Sequence, residues 1–258
     1  MILFLAGTSD ARELALQVKK AGYSLLTTVV TESAANSMEE TGLPVRIGRL
    51  TEADLIELIQ EEGFQAIVDA SHPFAEEAHK NALSAAKATG IPYIRYEREN
   101  AKFPDHNLIT VVEGYKEAAE LAAEKKGVIM LTTGSKTLKI FAERLLGQPD
   151  TTMIIRMLPR VDNLQKCEEL GVPQKQIVAI QGPFSKELNK ALYAQYEVTV
   201  MVTKETGKAG AFDEKVEAAL EMGIEVIVID RPTIEYGSQF SEYTGVIQQL
   251  NKFLRGGN

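Results

Sequence analysis

MILFLAGTSDARELAL, residues 1–16, decides the reading of the whole chain. Residues 2–6 are a short apolar run that meets Gly7-Thr8-Ser9, and residues 10–21 then carry apolar side chains at helical spacing up to Gly22. A strand that ends in glycine and hydroxyl residues and feeds straight into a helix opens a strand–helix–strand unit. Gly7 lets the backbone turn sharply and approach a ligand. The first amides of the following helix point outward with the positive end of its dipole, which suits phosphate. One glycine is short of the three-glycine dinucleotide fingerprint. The stretch therefore reads either as a nucleotide-binding turn or as an ordinary helix start capped by Ser9.

The same beat repeats outward from this point. Residues 23–30, rich in Val, Thr and Leu, predict a strand, and 45–47 a short one. Thr51 can cap a helix over 52–63, with Asp54 at its third position. A strand over 64–70, a helix over 73–90 and a strand over 91–96 follow. Pro73 suits a first helical position, which puts His72 at the cap, on the rim of the sheet. The polar stretch 98–107 contains Pro104 and marks a domain boundary, so the expected domains are 1–103 and 104–258. Beyond it, strands are expected over 108–112, 128–133, 153–157, 176–180, 198–203 and 224–229. Helices are expected over 115–126, 136–146, 161–170, 186–196, 213–222 and 245–254. Alternation at this length predicts an α/β fold with two doubly wound parallel sheets, each covered by helices on both faces.

Composition bounds the chemistry. The 258 residues include 36 Asp and Glu against 28 Lys and Arg, a net charge of −8, which argues against nucleic acid as the main partner. It does not exclude an anionic small molecule, because a local basic cluster can oppose the global sign. A single cysteine, Cys167, excludes an internal disulfide and a cysteine-based metal cluster, and fits a reducing, cytoplasmic setting. No secretory leader is read at the N-terminus. No apolar run approaches the ~18 residues of a membrane span.

In open parallel sheets, ligands bind beyond the carboxyl ends of the strands, near the point where strand order reverses. Those ends carry Gly7-Thr8-Ser9, Asp69-Ala70-Ser71-His72-Pro73, Thr133-Gly134-Ser135-Lys136, Arg156-Met157-Leu158-Pro159, Gln181-Gly182-Pro183-Phe184-Ser185, Thr203-Lys204-Glu205-Thr206-Gly207 and Arg231-Pro232. Lys136, Arg156, Lys204 and Arg231 on one sheet edge would form a basic pocket for a polycarboxylate; otherwise they are separate surface charges. The second glycine turn lacks the spacing of a nucleotide-hydrolysing phosphate loop.

Taken in order from residue 5 to residue 232, these stretches resemble the precorrin-6A reductase family of cobalamin biosynthesis. The resemblance implies two Rossmann-like domains with a cleft between them that binds NADH or NADPH. It also implies hydride transfer to one double bond of precorrin-6A or cobalt-precorrin-6A, giving the 6B product. Carried over by residue, Gly7, Thr8 and Ser9 match the family's first loop, which lies against the cofactor, and Ser71-His72-Pro73, Thr133-Gly134-Ser135-Lys136 and Thr203, Lys204 and Gly207 match its later motifs. Ser71, Thr133, Gly134 and Ser135 are expected at the cofactor too, and the strand-end cations Lys136, Arg156, Lys204 and Arg231 at the carboxylates of the tetrapyrrole. Ser71 stands where the family commonly has Thr, Thr206 where it has Ser, and Ala211 follows Gly210 where it often has paired glycines. Such chemistry needs no metal and no nucleophile; it needs orientation and a proton, for which His72 and solvent are both candidates. Glu32 lies 25 residues after Gly7, near the place where an acidic side chain accepts from the ribose hydroxyls and repels a 2′-phosphate. It favours NADH, unless Thr31 and Ser33 hold a phosphate instead. The alternatives are a non-catalytic dinucleotide sensor and, less well matched by the glycine turn, a methyltransferase of the same pathway.

Overall fold

A computed structural model describes residues 1–99, 106–205 and 214–256. It divides into two compact units, Met1–Arg98 with Pro232–Asn258, and Glu99–Arg231. The first contains β1 (Ile2–Leu5), α1 (Ser9–Lys20), β2 (Leu25–Val29), α2 (Glu32–Glu39), β3 (Val45–Ile47), α3 (Glu52–Glu62), β4 (Ala66–Asp69), α4 (Glu76–Thr89) and β5 (Tyr93–Tyr96). The second contains β6 (Ile109–Val112), α5 (Tyr115–Lys125), β7 (Gly127–Leu131), α6 (Leu138–Leu145), β8 (Thr151–Met157), α7 (Val161–Glu169), β9 (Ile177–Ala179), α8 (Lys186–Gln195), β10 (Val200–Lys204), α9 (Glu214–Glu221) and β11 (Glu225–Ile229). The chain then returns to the first unit with β12 (Gln239–Phe240) and α10 (Tyr243–Leu254).

Both sheets are six-stranded and parallel, ordered β12-β5-β4-β1-β2-β3 and β6-β11-β10-β7-β8-β9. Each order reverses once, between β1 and β4 and between β7 and β10. Those are the two switch points at which ligands of such sheets bind. The α/β, doubly wound expectation is met in both units.

Strand β1 shows why these residues take this place. Its alternate side chains go to opposite faces. Ile2 and Phe4 pack with Leu14 and Val18 of α1 and Val246 and Leu250 of α10. Leu3 and Leu5 pack with Leu55 and Ile59 of α3 and Ala82 and Ala85 of α4. A central parallel strand buried on both faces must be apolar throughout, and each such side chain contributes about 1.5–3 kcal/mol. Helix α3 has the expected capping box: Thr51 accepts from Asp54 N and Asp54 accepts from Thr51 N. Gly63 closes it in the left-handed conformation, φ 66°.

Several boundaries differ from the sequence reading. Residues 232–258 were assigned to the second domain, but β12 pairs with β5 and α10 packs on the first sheet. The break expected at 103/104 falls outside the described residues. Helix α2 was not expected; Thr31 caps it by accepting from Ala34 N at 3.3 Å. Helix α4 begins at Glu76 rather than at Pro73, because residues 72–75 form a turn closed by Ala75 N donating to His72 O at 2.7 Å. His72 is therefore not a helix cap. Helix α6 starts at Leu138, two residues later than read. At α1 the cap is Thr8, not Ser9: its side chain accepts from Ala11 N at 3.2 Å.

Candidate functional site

The first switch point lies between the ends of β1 and β4, where Gly7-Thr8-Ser9 and Ser71-His72-Pro73 follow. Gly7 has φ 152°, a conformation that a side chain disfavours, and a Cβ there would meet nothing within 4 Å. The bare backbone thus faces open space at the start of α1, whose first-turn amides and dipole favour an anion. Glu32 is exposed at the start of α2, just beyond the end of β2. Ser71 is buried and donates both its amide and its hydroxyl to Asp69 Oδ1, at 3.0 and 2.6 Å. It acts first as part of the loop's frame.

His72 is exposed. Its Nδ1 accepts from Phe74 N at 3.2 Å. A neutral ring that accepts at Nδ1 carries its proton on Nε2, away from that bond. This tautomer leaves Nε2–H as a hydrogen-bond donor.

The second switch point brings Thr133-Gly134-Ser135-Lys136 beside the end of β10. Gly134 takes φ 78° and helps line a cavity of about 430 Å³ together with Thr132, Arg156, Leu158, Phe184 and Lys215. Arg156 is buried, donates to Asn189 Oδ1 at 2.6 Å, and lies over the Phe184 ring at 4.4 Å. Asn189 is fixed in turn by donating to Ser185 O at 2.8 Å. The Gln-Gly-Pro-Phe-Ser stretch therefore aims the arginine by supplying both the ring and the anchor.

Lys204 ends β10 half-buried. Burial first, and then the positive charges of Lys136 and Lys215, pull its ammonium down to about 8. Gathering like charges in a partly desolvated place costs free energy that an anion recovers. Thr133 is buried and its hydroxyl has no hydrogen-bond partner, a polar group a ligand could satisfy. Ser135 donates to Asn163 Oδ1, and Asn163 donates to Leu158 O at 3.0 Å, so this serine ties two loops together.

Arg231 stands apart from this group. It ends β11 buried, its Nε donates to Glu205, and it does not line the cavity. Glu205 carries the matching charge. Lys215 joins the cationic group although strand-end reasoning passed over it, because it lies on α9. Thr206, Gly207, Gly210 and Ala211 lie outside the described residues. Among the described residues no cluster of His, Cys, Asp and Glu could hold a metal ion, and no helix is long and apolar enough to cross a membrane.

The largest polar assembly went unread in the sequence. Asp69 accepts from His79 Nδ1 at 2.7 Å, from Tyr93 Oη at 2.7 Å and from Arg95 Nη1 at 3.3 Å, all of them buried. Burial pushes its carboxyl upward, but the His79 hydrogen bond and the Arg95 charge more than offset this and hold it well below the ordinary range. The only sequence signal was an Asp at the end of an apolar strand and an Arg inside another.

Two doubly wound units with glycine turns at both switch points place the chain among the two-domain Rossmann-like proteins. The sequence profile described as Precorrin-6x reductase CbiJ/CobK matches residues 1–251. The chain is 61% identical to a cobalt-precorrin-6A reductase of Priestia megaterium, over 97% of its own length and 98% of the relative's. It is 35% identical to one of Salmonella typhimurium, over 98% and 96%. The solved structure of CobK precorrin-6A reductase superposes with a TM-score of 0.79 at 27% identity, covering 99% of this chain and 98% of that one. The chain belongs to the precorrin-6x reductase family. It is an oxidoreductase of cobalamin biosynthesis that acts on a tetrapyrrole macrocycle, and the non-catalytic sensor is set aside.

Proposed function

We propose that this enzyme reduces cobalt-precorrin-6A to cobalt-precorrin-6B with NADH as the preferred donor. The observation that carries the reading is the cationic cavity of the second unit. Arg156 and Lys215 line it beside Glu214, and Lys204 lies within electrostatic reach of Lys215 and Lys136, a concentration of positive charge in an acidic protein that suits a substrate bearing many carboxylates. In the first unit Gly7, Thr8, Ser9, Glu32 and Ser71 are the residues that would hold the dinucleotide; in the second, Thr133, Gly134 and Ser135 form the corresponding turn. A reduced nicotinamide supplies the hydride. The chain's own work is to orient the macrocycle through Arg156 and the lysines; the proton comes from His72 as imidazolium or from solvent. Arg231 is a weaker substrate contact than the other cations, because Glu205 already matches its charge.

The direct test is loss of the nicotinamide absorbance band when enzyme, NADH and cobalt-precorrin-6A are mixed, with product identified by mass. No oxidation of either nicotinamide in the presence of the macrocycle would refute the reading.

Two expected results refine it. Above pH about 8, kcat/KM for the macrocycle should fall as Lys204 loses its proton. Lys204→Gln should be impaired below that pH and lack the alkaline fall. Little change in the dinucleotide KM is expected in either case, and equal effects on both ligands would remove Lys204 from the substrate. As for cofactor choice, the wild type should prefer NADH, and Glu32→Ala should narrow that preference. Steady-state kinetics with both cofactors decide. A wild-type preference for NADPH of tenfold or more, about 1.4 kcal/mol, or an unchanged preference in Glu32→Ala, removes Glu32 as the selector.

A further inference from the structure

The buried assembly under the first switch point has a geometry that stability alone does not explain. Arg95 Nη1 donates to Asp69 O at 3.0 Å and to Ser71 O at 2.9 Å, besides its contact with the Asp69 carboxylate. His79 Nε2 lies 3.3 Å from Pro73 O. Three alternate carbonyls of one loop, those of residues 69, 71 and 73, are thus turned inward onto side chains of β5 and α4. Asp69 Oδ1 meanwhile takes the amide and hydroxyl of Ser71. The helix that follows gives the loop no such support, since Ala75 caps α4 without a side-chain hydrogen bond.

The assembly is itself held. Arg95 also donates to Glu97 Oε2, from Nε at 3.0 Å and Nη2 at 2.9 Å. The Tyr236 ring stacks on Tyr93 at 6.3 Å, meets His79 edge-on at 5.6 Å and lies 5.4 Å from the Arg95 guanidinium. Apolar residues of similar volume often stabilise a core as well as a buried ion pair does. A guanidinium whose Nε and Nη2 are held by Glu97 while its Nη1 grips two backbone carbonyls of one loop does something apolar packing cannot: it fixes the loop's path.

We propose that Asp69, His79 and Arg95 are positioning residues, which set the 69–73 loop with its carbonyls inward and so hold the exposed His72 ring toward the reactants. The inference rests on the proposed function, in which Ser71 and His72 face cofactor and macrocycle. Lysine at position 95 keeps the charge but has no second nitrogen to hold Glu97 while another holds the loop carbonyls.

Arg95→Lys tests it by two readouts on the full chain. In hydrogen exchange, the peptide spanning 70–75 should exchange about tenfold faster than in wild type, while α1 peptides stay within about twofold. Single-turnover hydride transfer should fall about tenfold, with the macrocycle KM within roughly threefold. Leu14→Ala, which opens the α1 side of the same sheet and removes no hydrogen bond to the loop, should lower the melting temperature with no selective change at 70–75. Should Arg95→Lys fail to fold, Tyr93→Phe, which removes one bond to Asp69, is expected to give the same pattern at roughly threefold. Unchanged or uniformly raised exchange overturns the inference. So does a transfer rate within twofold of wild type, or a selective loop effect in Leu14→Ala. A wild type that transfers no hydride refutes the proposed function and the inference with it; a wild type that does, beside a silent Arg95→Lys, refutes the inference alone.

Discussion

Asp69→Ala is expected to lower the unfolding free energy by about 3–5 kcal/mol, the usual cost of removing one partner of a buried charge pair. Both Asp69 and Arg95 have side chains 0% exposed. The substitution would leave the guanidinium with Glu97 as its remaining carboxylate, and would strand His79 Nδ1 and the Tyr93 hydroxyl. Asp69→Asn keeps an acceptor but not the charge, and should fall between. Urea unfolding at neutral pH measures both. The sign with pH follows from the depressed carboxyl. Its contribution is fully present above the ordinary aspartate value of about 3.9 and is lost as pH falls below it. Wild-type stability should therefore drop on acidification below about pH 4, and Asp69→Ala should lack that part of the drop. A variant within about 1 kcal/mol of wild type would show that the assembly contributes no more than a surface pair.

Gly7→Val should weaken dinucleotide binding about a hundredfold, roughly 2.8 kcal/mol at 1.4 kcal/mol per decade. Two costs combine. At φ 152° a β-branched residue is strained, and strain of this kind costs on the order of 1–3 kcal/mol. The isopropyl group also enters the open space beside the α1 amides, where phosphate oxygens would sit. The fold should survive, because no atom lies within 4 Å of the new Cβ position and the β1 core residues are untouched. Fluorescence titration with reduced dinucleotide reads the loss, and macrocycle affinity serves as the control. Unchanged dinucleotide affinity would take the cofactor away from this loop.

The parts legible in the sequence were those written in local pattern. Apolar runs such as residues 2–6, glycine stops such as Gly22 and Gly63, and the Thr51–Asp54 box announce strands, ends and caps by mechanisms acting within a few residues. Arg156 and Lys204 could be named because strand ends in such sheets face ligands. What stayed hidden was set by pairing across long separations. β12 is two residues long and joins β5 across more than a hundred positions, so residues 232–258 looked like a tail of the second domain. Helix α2 has only Ala35 and Met38 buried, too few apolar positions to show a period. Pro73 read as a helix start because proline suits that position, but the neighbouring loop is bound by Arg95 and His79, and that tertiary grip moved the helix to Glu76. Asp69, Arg95 and Tyr236 come from three segments, and no spacing rule links them.

The return of residues 232–258 to the first sheet has a consequence for how the protein comes into being. The second unit is one continuous stretch, Glu99–Arg231, whereas the first needs Pro232–Asn258 to be whole. During translation, the later unit is delivered complete while the earlier one still waits. Until the final segment leaves the ribosome, β5 lacks its neighbour β12, Arg95 lacks the cover of Tyr236, and the α1 face of the first sheet lacks Val246 and Leu250. An open strand edge is a template for unwanted pairing. The nascent chain is thus most exposed to misassembly in its oldest part at the latest moment of synthesis, and a tag or truncation at the C-terminus would strike the N-terminal sheet.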